Sequence, residues 1–116
     1  MIDSLVIDYL AIEKTWAVDS LIKSKFSRLQ QVYNRIQKCQ VKLANIAQNR
    51  RKKLKHSYLI SINLELPEGV QLYTLRFPQA LVEDSLHEAI ASAFAKIYRQ
   101  LIELQSEEQN NLTYQA

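Results

Sequence analysis

Glycine and cysteine are nearly absent from this chain of 116 residues: Gly69 and Cys39 are the only ones. A lone glycine excludes a Gly-rich loop of the kind that cradles phosphates. A lone cysteine excludes a disulfide framework within the chain. Cys39 with His56 and His87 has neither metal-ligand spacing nor the pairing of a nucleophile with its base. No enzyme activity, metal, cofactor or small-molecule substrate is therefore expected. No apolar run reaches membrane-spanning length, and Asp3 interrupts any signal-peptide pattern at the start. The expected location is the reducing cytoplasm, with no membrane partner. The length suits one domain whose core needs neither disulfides nor metal.

Acid is also missing, over one long block. Residues 20–55 hold eleven Lys and Arg and no Asp or Glu, whereas residues 1–19 carry −3 and residues 56–116 carry −5. The overall charge of +3 hides this asymmetry. One-sided charge points to a polyanionic partner, and nucleic acid is the commonest of these. The block peaks at residues 48–56, Gln-Asn-Arg-Arg-Lys-Lys-Leu-Lys-His, where five of nine residues are cationic. Apolar residues alternate on both sides, over 39–47 and 57–66, which predicts a β-hairpin with a basic tip. By itself such a tip reads equally well as a solvated loop. The distribution of the remaining charge favours a polyanion site.

Taken in order, Leu5, Ile7 and Tyr9 give a short strand with one apolar face. Thr15 is a good N-cap, with Asp19 in the first turn to complement the helix dipole. Val18, Ile22, Leu29, Tyr33 and Ile36 then recur at helical steps and predict about five turns of amphipathic helix. Arg28 and Arg35 fall on one flank of the apolar stripe, with Lys25 at its border. Next, Cys39, Val41 and Leu43 point inward while Lys38, Gln40 and Lys42 point outward. Tyr58, Ile60, Ile62, Leu64 and Leu66 are inward in the following strand, opposite to Ser61, Asn63 and Glu65. Such a sheet is covered on one side only. Pro67-Glu68-Gly69 is a turn, and Tyr73, Leu75 and Phe77 extend the inward alternation into a fourth strand. At inward positions Tyr58 and Tyr73 read as core rather than as base-stacking rings. Ser85-Leu86-His87-Glu88 is a capping box that opens a second helix with the stripe Leu86, Ile90, Ala93, Ile97, Leu101 and Leu104. His87 reads as an exposed first-turn residue.

The order and the motifs together resemble the ribosome hibernation-promoting factor and ribosome-associated inhibitor family, in its short form. Ala17-Val18 after the cap, Lys25-Phe26-Ser27-Arg28-Leu29 and Tyr33-Asn34-Arg35-Ile36 are similar to that family's first helix. Ser85 to Ile90 and Lys96-Ile97-Tyr98-Arg99-Gln100-Leu101 are similar to its second. The resemblance spans about residues 5 to 104. It implies binding to the small ribosomal subunit in the channel of messenger and transfer RNA, and silencing of translation in resting cells under stress. The family's basic positions carry over at Lys25, Arg28, Lys96 and Arg99. Three features depart from it. The stretch 78–84 is longer than usual, and Ser85 and His87 replace an acid and a tyrosine. Glu103, Glu107 and Glu108 stand where relatives often carry lysines, which removes charge from one expected RNA contact.

The expected architecture is α+β: a two-layer β-α-β-β-β-α domain over residues 1–105, with a four-stranded sheet and both helices on one face. Residues 106–116 lose their periodicity and read as a frayed polar tail. The first helix, as a right-handed crossover, places strands one and two parallel if they are adjacent. The expected RNA contacts are Lys23, Lys25, Arg28, Arg35, Lys38, Lys42, Arg50, Arg51, Lys52, Lys53, Lys55, Lys96 and Arg99. Off the ribosome the protein is expected to be a monomer. The competing reading is a protein–protein adaptor that uses the polar sheet face or the acidic second half.

Overall fold

The computed structural model describes residues 4–10, 12–45, 58–74 and 86–115. The element order is β1 (Leu5–Leu10), α1 (Trp16–Val32), β2 (Lys38–Asn45), β3 (Tyr58–Glu65), a single 3₁₀ turn (Pro67–Gly69), β4 (Gln71–Tyr73) and α2 (Leu86–Gln115). The four strands lie side by side in sequence order. β1 runs parallel to β2, as a right-handed crossover through α1 requires for neighbours, and the other two pairings are antiparallel. The basic tip at 48–56, Leu75, Phe77 and the capping residue Ser85 lie outside the described residues.

Alternation along the strands sorts the side chains as their sequence demands. Cys39, Val41 and Leu43 sit opposite Leu64, Ile62 and Ile60, and all six are fully buried. Both helices pack on this inner face: Ile22 and Leu29 from α1, and Ile90, Ile97 and Leu101 from α2, join the same core. At about 25 cal/mol per Å² of apolar surface, burial of this continuous layer is the main force holding the two layers together. The Thr15 hydroxyl accepts the Val18 N–H at 3.2 Å and starts α1 where the cap residue requires.

Three boundaries differ from the sequence expectation. The first helix ends at Val32, not at Ile36: Tyr33 is already extended, and its N–H closes the last turn on the Leu29 carbonyl at 2.9 Å. The apolar spacing runs on because Tyr33 is buried and Ile36 packs on the core from the connection to β2, so both remain inward without being helical. Tyr73 points outward, with 59% of its surface exposed. Leu72 pairs with Leu64 on the inner face, and Tyr73 pairs with Asn63 on the outer one. A one-residue shift in register reverses every side chain in a strand. The turn sets that register, with Leu66 N–H bonding the Val70 carbonyl at 2.8 Å and with left-handed backbone at Glu68 and Gly69. Finally, α2 continues to Gln115, through the stretch expected to be frayed.

Candidate nucleic-acid interface

Lys25 and Arg28 stand one turn apart on the side of α1 that faces α2. With Leu29 they form one wall of an open groove of about 180 Å³, and Ala91, Phe94, Ala95 and Tyr98 of α2 form the other. Leu29 and Phe94 are buried at its floor, Arg28 and Ala95 are exposed, and Tyr98 is 37% exposed at its mouth. Among the described residues, Lys25 and Arg28 are the only charged ones lining the groove. Arg99 lies one turn beyond Ala95, on the exposed ridge of α2. Among the described residues the groove is thus a cationic site with an apolar floor and no acid. Of the α2 residues lining the groove, Ala91, Phe94 and Ala95 do not stand out in the sequence. Small residues four apart beside two rings were the available signal.

The other predicted contacts do not join this groove. At about 100° per residue, Lys96 falls on the opposite flank of α2, where Gln100 donates to the Tyr73 carbonyl at 3.0 Å. Lys23 faces the β1 edge and bonds Asp19 at 3.0 Å. Asp19 also accepts from the Tyr9 hydroxyl at 3.1 Å. The hydrogen bond from Lys23 holds the Asp19 carboxyl below the usual range, while burial and then Asp19 push the Tyr9 hydroxyl up to about 12. Lys14 stands 6.0 Å from the Tyr9 ring centre, a further cation on this side. Lys38 and Lys42 are exposed on the outer sheet face, opposite Glu65 and Ser61 in register. Arg50, Arg51, Lys52, Lys53 and Lys55 lie outside the described residues.

Arg35 does not share the Lys25–Arg28 flank, because the helix stops before it. Its guanidinium meets Glu108 at 3.0 Å, donates to the Tyr33 hydroxyl at 3.0 Å and lies 5.0 Å from the centre of that ring. The Tyr33 hydroxyl in turn donates to Glu108 at 3.2 Å, and burial followed by that carboxylate raises its pKa. Gln105 caps the Val32 carbonyl at 3.1 Å, satisfying one of the open acceptors at the end of α1. Glu108 is therefore a structural partner of Arg35, and the two charges are matched within the domain.

The outer sheet face forms a second polar surface. Gln40, Lys42, Ser61, Asn63 and Tyr73 border a concavity of about 450 Å³, and Gln40 donates to Asp8 at 3.2 Å beside it. Among the described residues no group of His, Cys, Asp and Glu is arranged to hold a metal ion, and no helix is long and apolar enough to cross a membrane.

Two solved structures share this architecture. A ribosomal subunit interface protein from Coxiella burnetii superposes with a TM-score of 0.67 at 15% identity, covering 88% of this chain and 97% of its own. The N-terminal domain of Protein Y from Thermus thermophilus superposes with a TM-score of 0.56 at 18% identity, covering 90% of this chain and 99% of its own. At those identities the likeness is one of fold. No curated protein matches the sequence. Residues 5–109 match the family described as sigma 54 modulation protein / S30EA ribosomal protein. The match takes in both helix motifs and the whole of the sheet, so the chain belongs to that family, the one its helices resemble.

Proposed function

We propose that this protein is a non-enzymatic ribosome-associated factor that binds small-subunit rRNA and silences translation in resting cells by filling the channel of messenger and transfer RNA. The observation that carries the reading is the groove between α1 and α2, where Lys25 and Arg28 stand with no opposing acid among the described residues. Cations at such a site neutralise phosphates and position the domain without reading sequence. Structured RNA is recognised mainly by its shape and backbone, which suits a rigid two-layer body. Lys38 and Lys42 extend the charge to the outer sheet face, and the sequence adds five cations at 48–56. A body enclosed by RNA uses such a distribution, whereas a body resting on RNA with one face does not. The domain acts as a monomer that excludes the channel's ordinary occupants by its bulk.

Sedimentation of cell lysate with small subunits tests the reading. The protein is expected to travel with the subunit at low salt and to leave it at high salt, as counterion release requires. Lys25→Glu with Arg28→Glu should abolish co-sedimentation and leave the fold intact, since exposed charges seldom change stability by more than about 0.5 kcal/mol. Wild-type sedimentation by that double variant removes α1 from the site. Retention of a protein partner together with loss of the subunit at every salt concentration supports the adaptor reading instead.

A further inference from the structure

We propose that the groove between α1 and α2 receives one unpaired nucleobase, while Lys25 and Arg28 hold the phosphates beside it. The inference rests on the RNA reading above and gives that site a second kind of contact. Its volume of about 180 Å³ is the first reason. A cavity of about 150 Å³ lined by aliphatic and aromatic side chains holds a benzene ring, whereas sites for drug-sized ligands start at about 300 Å³. The groove has room for one planar ring.

The lining selects the kind of ring. Leu29 and Phe94 make an apolar floor, and Ala91 and Ala95, four apart on α2, leave open the space a larger side chain would fill. The helices do not close over that space, because Ile22 on one and Ile90 and Ile97 on the other are anchored in the shared core. Tyr98 offers a partly exposed ring at the mouth. An aromatic occupant gains stacking there, and stacking is indifferent to base identity because every base has a π-face. The charged residues lining the groove, among those described, are both cations, so the preferred ring is one tethered to an anion. A nucleotide of single-stranded RNA combines the two. A base inside a duplex does not, since it is already stacked and paired.

The test uses the full chain and a 12-nucleotide single-stranded RNA with 2-aminopurine at its centre. Binding should change the fluorescence of that base. Ala95→Leu fills the groove from the exposed side with a good helix former and leaves both cations in place. It should weaken binding roughly tenfold, as expected for loss of one stacked base. The slope of log K against log salt should not change, because no phosphate contact is lost. Tyr98→Ala, which removes the ring at the mouth of the same wall without filling the groove, should weaken binding to a similar degree. A 12-nucleotide strand abasic at every position keeps its phosphates, and it should lose the same factor against wild type and nothing further against Ala95→Leu. Wild-type affinity in Ala95→Leu and Tyr98→Ala overturns the proposal. If Lys25→Glu with Arg28→Glu still abolishes binding in that case, the RNA reading stands and only the base slot falls. If that pair also has no effect, both fall. Equal affinity of wild type for the intact and abasic oligonucleotides overturns the base slot as well, as does capture of an acidic aromatic peptide in place of RNA.

Discussion

Cys39 shows what one buried group contributes. Its side chain is fully enclosed on the inner sheet face, and burial pushes the thiol up to about 12. It therefore packs as a small apolar group at neutral pH. The folded state favours the neutral thiol, so this contribution to stability is complete below the unfolded pKa of about 8.5 and is lost as pH rises toward 12. Tyr9 adds a slope of the same sign only above about pH 10, where an unfolded tyrosine begins to ionise. Between pH 8.5 and 10 the decline should come mainly from Cys39, at no more than about 1.4 kcal/mol per pH unit. Denaturant unfolding at pH 7, 8.5 and 10 should show the decline in wild type, and Cys39→Ala should be flatter over the same interval. Parallel pH profiles for the two proteins would remove the thiol as the source.

At the scale of the element, the far end of α2 is held by α1. Glu108 reaches Arg35 and Tyr33, and Gln105 reaches Val32, which ties the late turns of α2 to the point where α1 stops. The side chains of Arg35 and Glu108 are 58% and 40% exposed, so solvent screens the pair and its share of global stability stays below about 1 kcal/mol. The local effect is larger, because a helix end without tertiary contacts frays. Glu108→Ala should leave the unfolding midpoint almost unchanged and accelerate amide exchange over residues 106–115. It also frees Arg35, so affinity for small subunits at low salt should rise if this corner faces phosphate. Unchanged exchange over those residues would show that the latch does not hold the helix end.

For the whole molecule, the arrangement of charge on several sides makes a quantitative prediction. Lys25 and Arg28 lie on the helix side, Lys38 and Lys42 lie on the opposite face of the sheet, and five further cations occupy residues 50–55. Exposed charges beyond a Debye length of about 8 Å act nearly independently in physiological salt. Changing either pair to Gln should lower the slope of log K against log salt by about 1.5, and changing the five should lower it by about 3 to 4. Binding titrations to purified small subunits at several salt concentrations measure all three. A full effect from the helix pair with none from the sheet pair would mean that RNA covers one face only, and the channel-filling proposal would fail.

Much of this architecture is determined by the sequence alone. Alternation in residues 38–45 and 58–65 assigns inner and outer faces, because successive side chains on a strand point to opposite sides. The Thr15 cap starts α1, the stripe from Leu86 to Leu104 orients α2, and the handedness of the crossover makes β1 and β2 parallel. The same reading placed Arg28 and Arg35 on one flank with Lys25 at its border, and the structure keeps Lys25 and Arg28 together while Arg35 leaves that flank. Only the tertiary structure decided where α1 stops, which way Tyr73 points, and how far α2 extends. Periodicity states which positions are apolar, and Tyr33 and Ile36 keep helical spacing while packing on the core from outside the helix. Tyr73 is turned outward by the pairing of Leu72 with Leu64, a register that no property of Tyr73 reveals. Glu108 acquires Arg35 as its partner across 73 positions of chain, so its charge reads from sequence as a lost RNA contact and acts in the fold as a latch. The groove has the same origin: Ala91 and Ala95 are unremarkable on an isolated helix, and they form a slot only because the core holds a second helix, with two cations, beside them.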